Sequence, residues 1–200
     1  MVAALSPAPP RRRSPRSHAA VLKAAARLVG RRGYANTAIE EIAAAAGVGK
    51  QTIYRWWPNK AALFIEVYGQ LVPRDLVAED TGSIAGDLDS LLRQLSRLYV
   101  DTPAGSILSG LIAEAQTDPA LALQLSDAYV APRRIIVRSI LERAATRGEI
   151  RPQADPDFAS DLFSGAVWFR LLLGKRHLDA KFRRRLIDAL LSGVARRGGR

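Results

Sequence analysis

Three consecutive side chains, Lys50, Gln51 and Thr52, each match a base edge in the major groove of DNA. Lysine can reach guanine O6 or N7, glutamine can pair bidentately with adenine, and threonine offers a methyl or hydroxyl to thymine or a phosphate. Arg55, one helical turn on, adds a phosphate-seeking cation. The same run, Gly47-Val48-Gly49-Lys50-Gln51, also suggests a phosphate-binding loop. That chemistry needs a glycine where Ala44 stands, a serine or threonine where Gln51 stands, and a preceding strand, so nucleotide hydrolysis is excluded. The chain has no Cys and two His, His18 and His177, which removes thiolate chemistry and makes a His-rich metal centre untenable. No G-x-S-x-G is present, and Asp155 and Asp157 flank Pro156 as a helix N-cap would, not as an acid-base pair.

For Lys50 to Thr52 to read a groove, they must open a short helix braced by two others. Val21, Leu22, Ala25, Leu28 and Val29 recur at helical spacing from Ser17, and Gly33 ends that helix with an expected left-handed C-cap. Thr37-Ala38-Ile39-Glu40 reads as a capping box opening a helix over about 38–46. Gly47 turns the chain, a third helix covers about 50–57, and Pro58-Asn59 closes it and caps the next. Ile39, Ile42, Ala43, Ala46, Val48 and Ile53 fall where a helix-turn-helix needs its interior, with Ala43 small enough for close crossing.

Charge follows the same division. Residues 1–60 carry eleven Lys or Arg against two acids, a balance of +9 within the net +11 of the 200-residue chain. Such a basic front points to a polyanion, nucleic acid or an anionic membrane surface. Residues 1–16, rich in Pro, Ser and Arg, are expected to be a disordered basic arm. They fail as a secretory signal, and an organelle transit peptide is disfavoured by the helical pattern that follows. No apolar stretch is long enough to span a bilayer.

The run from Gly33 to Leu63, GYANTAIEEIAAAAGVGKQTIYRWWPNKAAL, resembles the DNA-binding domain of the tetracycline-repressor (TetR/AcrR) family, whose pattern is roughly G-[YF]-x-x-T-[ST]-[IV]-x-x-[IV]-A-x-x-A-G-V-x-x-x-T-[IL]-Y-x-[HYR]-[FW]-P-[SN]-K-x-x-L. The segments Leu111 to Pro119, Arg147-Gly148-Glu149-Ile150-Arg151 and Phe169-Arg170-Leu171-Leu172 resemble one C-terminal subtype. The resemblance implies that Tyr54 and Thr37 donate hydroxyls to phosphate and that Lys60 supplies a cation there. Trp57 fits the usual core aromatic. Trp56 departs from the family's usual His, Tyr or Arg, and either stacks on deoxyribose or sits half buried.

Beyond Lys60 the chain reads as helices punctuated by Pro and Gly: about 60–71, 87–101, 104–116, a unit from 119 to 147 interrupted near Pro132, 156–174 and 180–197. Asp75 to Gly86 is expected to be a loop. The last two helices are apolar around much of their girth, so either their own core or an interface must cover them. By resemblance they form a four-helix bundle in a homodimer, with Phe158, Leu162, Phe163, Leu186 and Leu190 as interface candidates. Also by resemblance, the middle helices enclose a small-molecule effector site, with Tyr99, Leu111, Glu114, Trp168 and Arg170 as candidates.

The expectation is an all-α chain: a basic arm over 1–16, a three-helix DNA-binding domain over 17–63, and a helical effector and dimerisation domain over 64–200. Its role is that of a cytoplasmic transcriptional repressor on a palindromic duplex operator, with no cofactor, metal or membrane partner and no catalysis. The rivals are an architectural protein binding DNA without sequence preference and a small-molecule-binding helical enzyme.

Overall fold

The computed structural model describes residues 14–72, 76–151, 154–173 and 178–194. The basic arm therefore lies outside the described residues up to 13. The regular elements are helices: α1 (Pro15–Arg32), α2 (Ile39–Ala46), α3 (Lys50–Trp56), α4 (Lys60–Leu71), α5 (Ile84–Val100), α6 (Ala104–Ala115), α7 (Pro119–Leu125), a π-helical turn (Ser126–Val130), α8 (Ala131–Thr146), α9 (Pro156–Leu172) and α10 (Ala180–Val194). The chain divides into two compact units between Val67 and Tyr68, inside α4 and later than the expected boundary at 63. Helix α1 starts two residues before Ser17, because Ser14 caps it and Pro15 occupies the first turn, where a missing amide costs nothing.

In the first unit, α1 packs on α2 and α2 on α3. The expected stripe of α1 is buried at Val21, Leu22, Ala25 and Val29, while Leu28 is half-buried. Ile42, Ile53, Leu63 and Phe64 have no exposed surface. Burying side chains of this size contributes about 1.5–3 kcal/mol each.

Helix α5 is central to the second unit and packs against α6, α8 and α10. Its leucine stripe, Leu88, Leu91, Leu92, Leu95 and Leu98, is buried as the periodicity predicts. A second, polar stripe at Asp87, Ser90 and Gln94 is buried too, because the 76–83 loop lies over it. Gln94 exchanges two hydrogen bonds with the Val77 backbone, at 3.3 and 3.2 Å, and Ser90 donates to Glu79. Asp87 is fully buried and accepts from the Thr81 amide (2.7 Å) and hydroxyl (2.8 Å), and from the guanidiniums of Arg143 (3.3 Å) and Arg147 (3.1 Å) on the far side. Arg147 also holds Glu149 at 2.5 Å, and Glu149 accepts from the Ile84 amide at the start of α5. The Arg147-Gly148-Glu149 segment is thus a clamp between α5 and the end of α8.

The break expected near Pro132 is a π-helical turn. Pro132 has no amide and its ring would clash with a carbonyl four residues back, so the winding relaxes just before it. The Ala131 amide donates to Ser126, five residues away. Asp118 and Asp155 cap α7 and α9 through paired bonds to backbone amides, as their Asp-Pro signals predict, and Asp179 accepts from the Phe182 amide.

Burial pushes the Asp87 carboxyl upward, but Thr81 and the two guanidiniums more than offset this and hold it below its ordinary value. The group therefore contributes stability above the ordinary carboxylate pKa, and that contribution is lost as pH falls through its folded value. Asp87→Asn is expected to cost about 2–4 kcal/mol at pH 7, since it strips two guanidiniums of their shared counterion. In urea unfolding at stepped pH, the gap between the two proteins should close toward acid.

Candidate nucleic-acid interface

Helix α3 buries Ile53 completely and turns Lys50, Gln51, Tyr54 and Arg55 to solvent, with Thr52 half-buried. Gly47 makes the turn possible: its φ of 67° and ψ of 33° lie in the left-handed region that a side chain disfavours. The Val48 amide then closes back on the Ala43 carbonyl at 3.0 Å.

Trp57 fixes the other end of α3. It is buried, stacks on His18 with ring centroids 5.0 Å apart, and donates its indole N–H to Glu66 at 2.7 Å. The second Glu66 oxygen lies 2.9 Å from His18 Nε2, so one carboxylate of α4 joins α1 to the end of α3. Trp56 is half-buried, edge-on to Trp57 and tilted against His18.

The turn between α1 and α2 is tied differently from the sequence expectation. Only the acid half of a capping box forms, one residue later: Glu41 accepts from the Ala38 amide at 3.3 Å, Ala38 having no side-chain acceptor, while Glu40 faces out and pairs with Lys50. Thr37 is only 1% exposed, and its hydroxyl donates to the Gly33 carbonyl at 2.8 Å. Its single proton is thus used inside the unit. Gly33 has φ 78° and ψ 166°, not the expected left-handed helical pair, in a region essentially restricted to glycine. Lys60 donates to the Tyr34 carbonyl at 2.6 Å and lies 4.3 Å from the Tyr34 ring centroid, so its ammonium braces this turn from α4.

Charge on the exposed face is partly compensated. The hydrogen bond from Lys50 lowers the Glu40 carboxyl, and the same bond raises the Lys50 ammonium. Arg32 and Glu41 pair beside them. A polyanion reaching Lys50 must compete with Glu40.

The second unit holds a cavity of about 180 Å³ whose lining includes Tyr68, Tyr99, Leu108, Tyr129, Arg133 and Trp168. Two of the five expected effector residues, Tyr99 and Trp168, are here. Leu111 has no exposed surface and belongs to the core, Glu114 is half-buried outside the lining, and Arg170 covers the Phe182 ring at 4.0 Å. Sequence reasoning missed Tyr68, Tyr129 and Arg133, which only tertiary packing brings together. Of the expected interface residues, Phe158 (61% exposed) and Leu162 (47%) face out, with Phe169, Leu172 and Leu173 beside them. Phe163 and Leu190 are buried in the chain's own core and Leu186 is half-buried, because α9 and α10 are apolar on inward faces as well. Among the described residues, no helix is long and apolar enough to cross a membrane, and no cluster of three metal-ligating side chains occurs.

A braced helix-turn-helix with a polar recognition helix, followed by a helical second unit, defines a helix-turn-helix transcription regulator. Residues 21–67 match the family model for bacterial regulatory proteins of the tetR family, and residues 78–190 match a tetracyclin repressor-like C-terminal domain. An uncharacterized HTH-type transcriptional regulator of Bacillus subtilis, YdeS, is 31% identical over 178 residues, covering 89% of each chain. A DNA-binding transcriptional repressor, TetR, of Mycobacteroides abscessus is 31% identical over 186 residues, 91% of this chain and 95% of the relative. The crystal structure of the TetR family regulator SCO0332 superposes with a TM-score of 0.69 at 38% identity, covering 89% of this chain and 98% of that one. The chain belongs to the TetR family of DNA-binding transcriptional regulators.

Thr37→Val should lower the thermal stability of the DNA-free protein by about 1–2 kcal/mol, since it leaves the Gly33 carbonyl without its donor. Thr37→Ser, which keeps the hydroxyl, should cost clearly less. If Thr37→Val instead melts like the parent and only weakens DNA binding, the hydroxyl serves phosphate and not the turn.

Proposed function

We propose that this chain is a homodimeric repressor that binds a near-palindromic operator through α3 and leaves it when a small molecule occupies the second unit. The observation that carries this reading is the division of α3 into a fully buried Ile53 and an exposed Lys50, Gln51, Tyr54 and Arg55. In the proposed docking, Lys50, Gln51 and Thr52 meet base edges while Tyr54 and Arg55 hold phosphates. Thr37 and Lys60 position the turn beside them, Lys60 retaining charge for a phosphate near α4. Trp56 sits at the rim.

Dimerisation through α9 and α10 is supported by the outward stripe Phe158, Leu162, Phe169 and Leu173. These positions are spaced at four, seven and four residues and so share one helix face. A two-fold pair then presents two copies of α3 to half-sites about one helical turn apart. The effector would enter the cavity beside Tyr99 and Trp168, and it can shift the DNA equilibrium only by its differential affinity for the two conformers.

Selection of the purified protein on a randomised duplex pool at near-physiological salt should enrich one palindromic site. Retention without a consensus would instead make it an architectural binder. On the selected site, Gln51→Ala should relax preference at one base position by about 1–3 kcal/mol, while Tyr54→Phe weakens all sequences alike. Glu40→Gln should tighten binding, most at low salt, because it frees Lys50 from its exposed pair.

The double variant Phe158→Asp, Leu162→Asp should keep its helical circular dichroism, both side chains being exposed. It should sediment as a monomer and lose operator affinity by tenfold or more, about 1.4 kcal/mol at least. An unchanged dimer would move the interface elsewhere.

A further inference from the structure

The cavity in the second unit is walled by four aromatic rings, yet its polar groups are weighted toward donation. Tyr68 and Tyr99 are buried, and their hydroxyls lie 3.5 Å apart. Arg133 is half-buried and lines the same cavity as Tyr68 and Tyr99. The Tyr68 hydroxyl donates to the Tyr99 oxygen, and a guanidinium can only donate, so Arg133 adds donors to the same space. Tyr99 is buried and lines the cavity, so its own O–H is a further donor there.

Burial raises the phenols of Tyr68 and Tyr129 above their ordinary range, so they remain neutral O–H groups at physiological pH. The other arginine of the lining, Arg134, and the one carboxylate of the lining, Asp161, neutralise each other. Among the described residues, no carboxylate lies within ion-pair distance of Arg133, whereas Arg138, Arg143, Arg147 and Arg183 of the same unit each have one. The site therefore holds one uncompensated positive charge beside buried donors, inside an aromatic enclosure.

Its size points the same way. About 180 Å³ is close to the roughly 150 Å³ of a protein cavity known to admit benzene, so one substituted ring fits. We infer that the cavity takes a small aromatic monoanion, a single ring bearing a carboxylate, with the ring among Tyr68, Tyr129 and Trp168 and the carboxylate on Arg133 and the Tyr99 hydroxyl. This rests on the reading of the second unit as an effector domain and adds the chemical class of its ligand.

The test uses the full-length protein and benzoate as the probe, with benzamide, cyclohexanecarboxylate and benzamidine as arms, read by calorimetry. Benzoate should bind at one site per chain, with benzamide at least about tenfold weaker for want of the negative charge, benzamidine weaker still because its charge is reversed, and cyclohexanecarboxylate weaker for want of the aromatic ring. Arg133→Gln should weaken benzoate about tenfold or more while the ligand-free melting temperature stays at the parent value. Tyr99→Phe should weaken it by a smaller factor. Absence of benzoate binding up to about 10 mM, weaker than any useful effector site, would overturn the inference, as would equal affinity for benzoate and benzamide or binding indifferent to Arg133→Gln.

Operator binding measured in parallel separates the two levels of the argument. Sequence-specific DNA binding without benzoate binding overturns the ligand class alone. Benzoate binding that leaves the protein on its operator overturns the effector reading, while the site itself stands.

Discussion

A helix of seven residues does not hold itself together in water, where about twelve to fifteen are marginal even for good helix formers. Helix α3 is that short, so its geometry is imposed from outside. One apolar side chain, Ile53, anchors it from beneath, the Gly47 turn fixes its entry, and Trp57 fixes its exit. Much of the first unit follows from this need. Trp57 is held by Glu66 of α4 and roofed by His18 of α1, while Lys60 of α4 ties down the turn into α2. Helices α1, α2 and α4 thus converge on a helix whose outward face stays free of packing, which is what groove reading requires.

The second unit solves its positioning problem with charge. Asp87 serves as the common acceptor for a loop and for two arginines of α8 and its end. Exchanging such a cluster for apolar residues is often neutral or even stabilising in other proteins, so its worth lies less in net stability than in fixing which groups meet. Here it fixes the register of α8 against α5 and lays the 76–83 loop over a polar stripe that would otherwise face solvent. On the opposite side of α8, Arg134 and Arg138, four residues apart, meet Asp161 and Asp157 of α9 in antiparallel order. These pairs are exposed and contribute little energy, but they agree with the register that the buried cluster sets.

The recognition helix was legible because its signals are local: a turn glycine, a small residue four before it, and Pro58 beyond the end. The Asp-Pro caps were legible for the same reason. The expected capping box does not form because Thr37 turns inward to the Gly33 carbonyl; the N-cap passes to Ala38, which has no side-chain acceptor, and Glu41 instead of Glu40 reaches back to its amide. Burial of Thr37 is a tertiary fact. On α9 the outward set Phe158, Leu162 and Phe169 and the inward set Ala159, Phe163, Val167 and Leu171 are both apolar at helical spacing. Periodicity alone therefore could not separate core from free face. The cavity was least legible, since Tyr68, Tyr99, Tyr129 and Trp168 come from α4, α5, the π turn and α9, and a concavity leaves no mark on any one of them.

The π turn links these observations. In an α-helix each residue advances the side chains by about 100°. Closing one turn over five residues therefore rotates what precedes it, relative to α8, by about one residue step. Tyr129 and Arg133 are four residues apart and so already share one helix face; both line the same cavity, and Tyr129 meets the Tyr68 ring edge-on at 4.5 Å. With regular α-helical winding through 126–130, the Ala131 amide would instead bond four residues back, to Asp127. The missing amide of Pro132 disfavours that winding. A residue that reads in sequence only as an interruption is thus the local reason that α7 meets α8 through a turn closed over five residues, while the four-residue spacing of Tyr129 and Arg133 is what puts an aromatic wall and a cation in one enclosure.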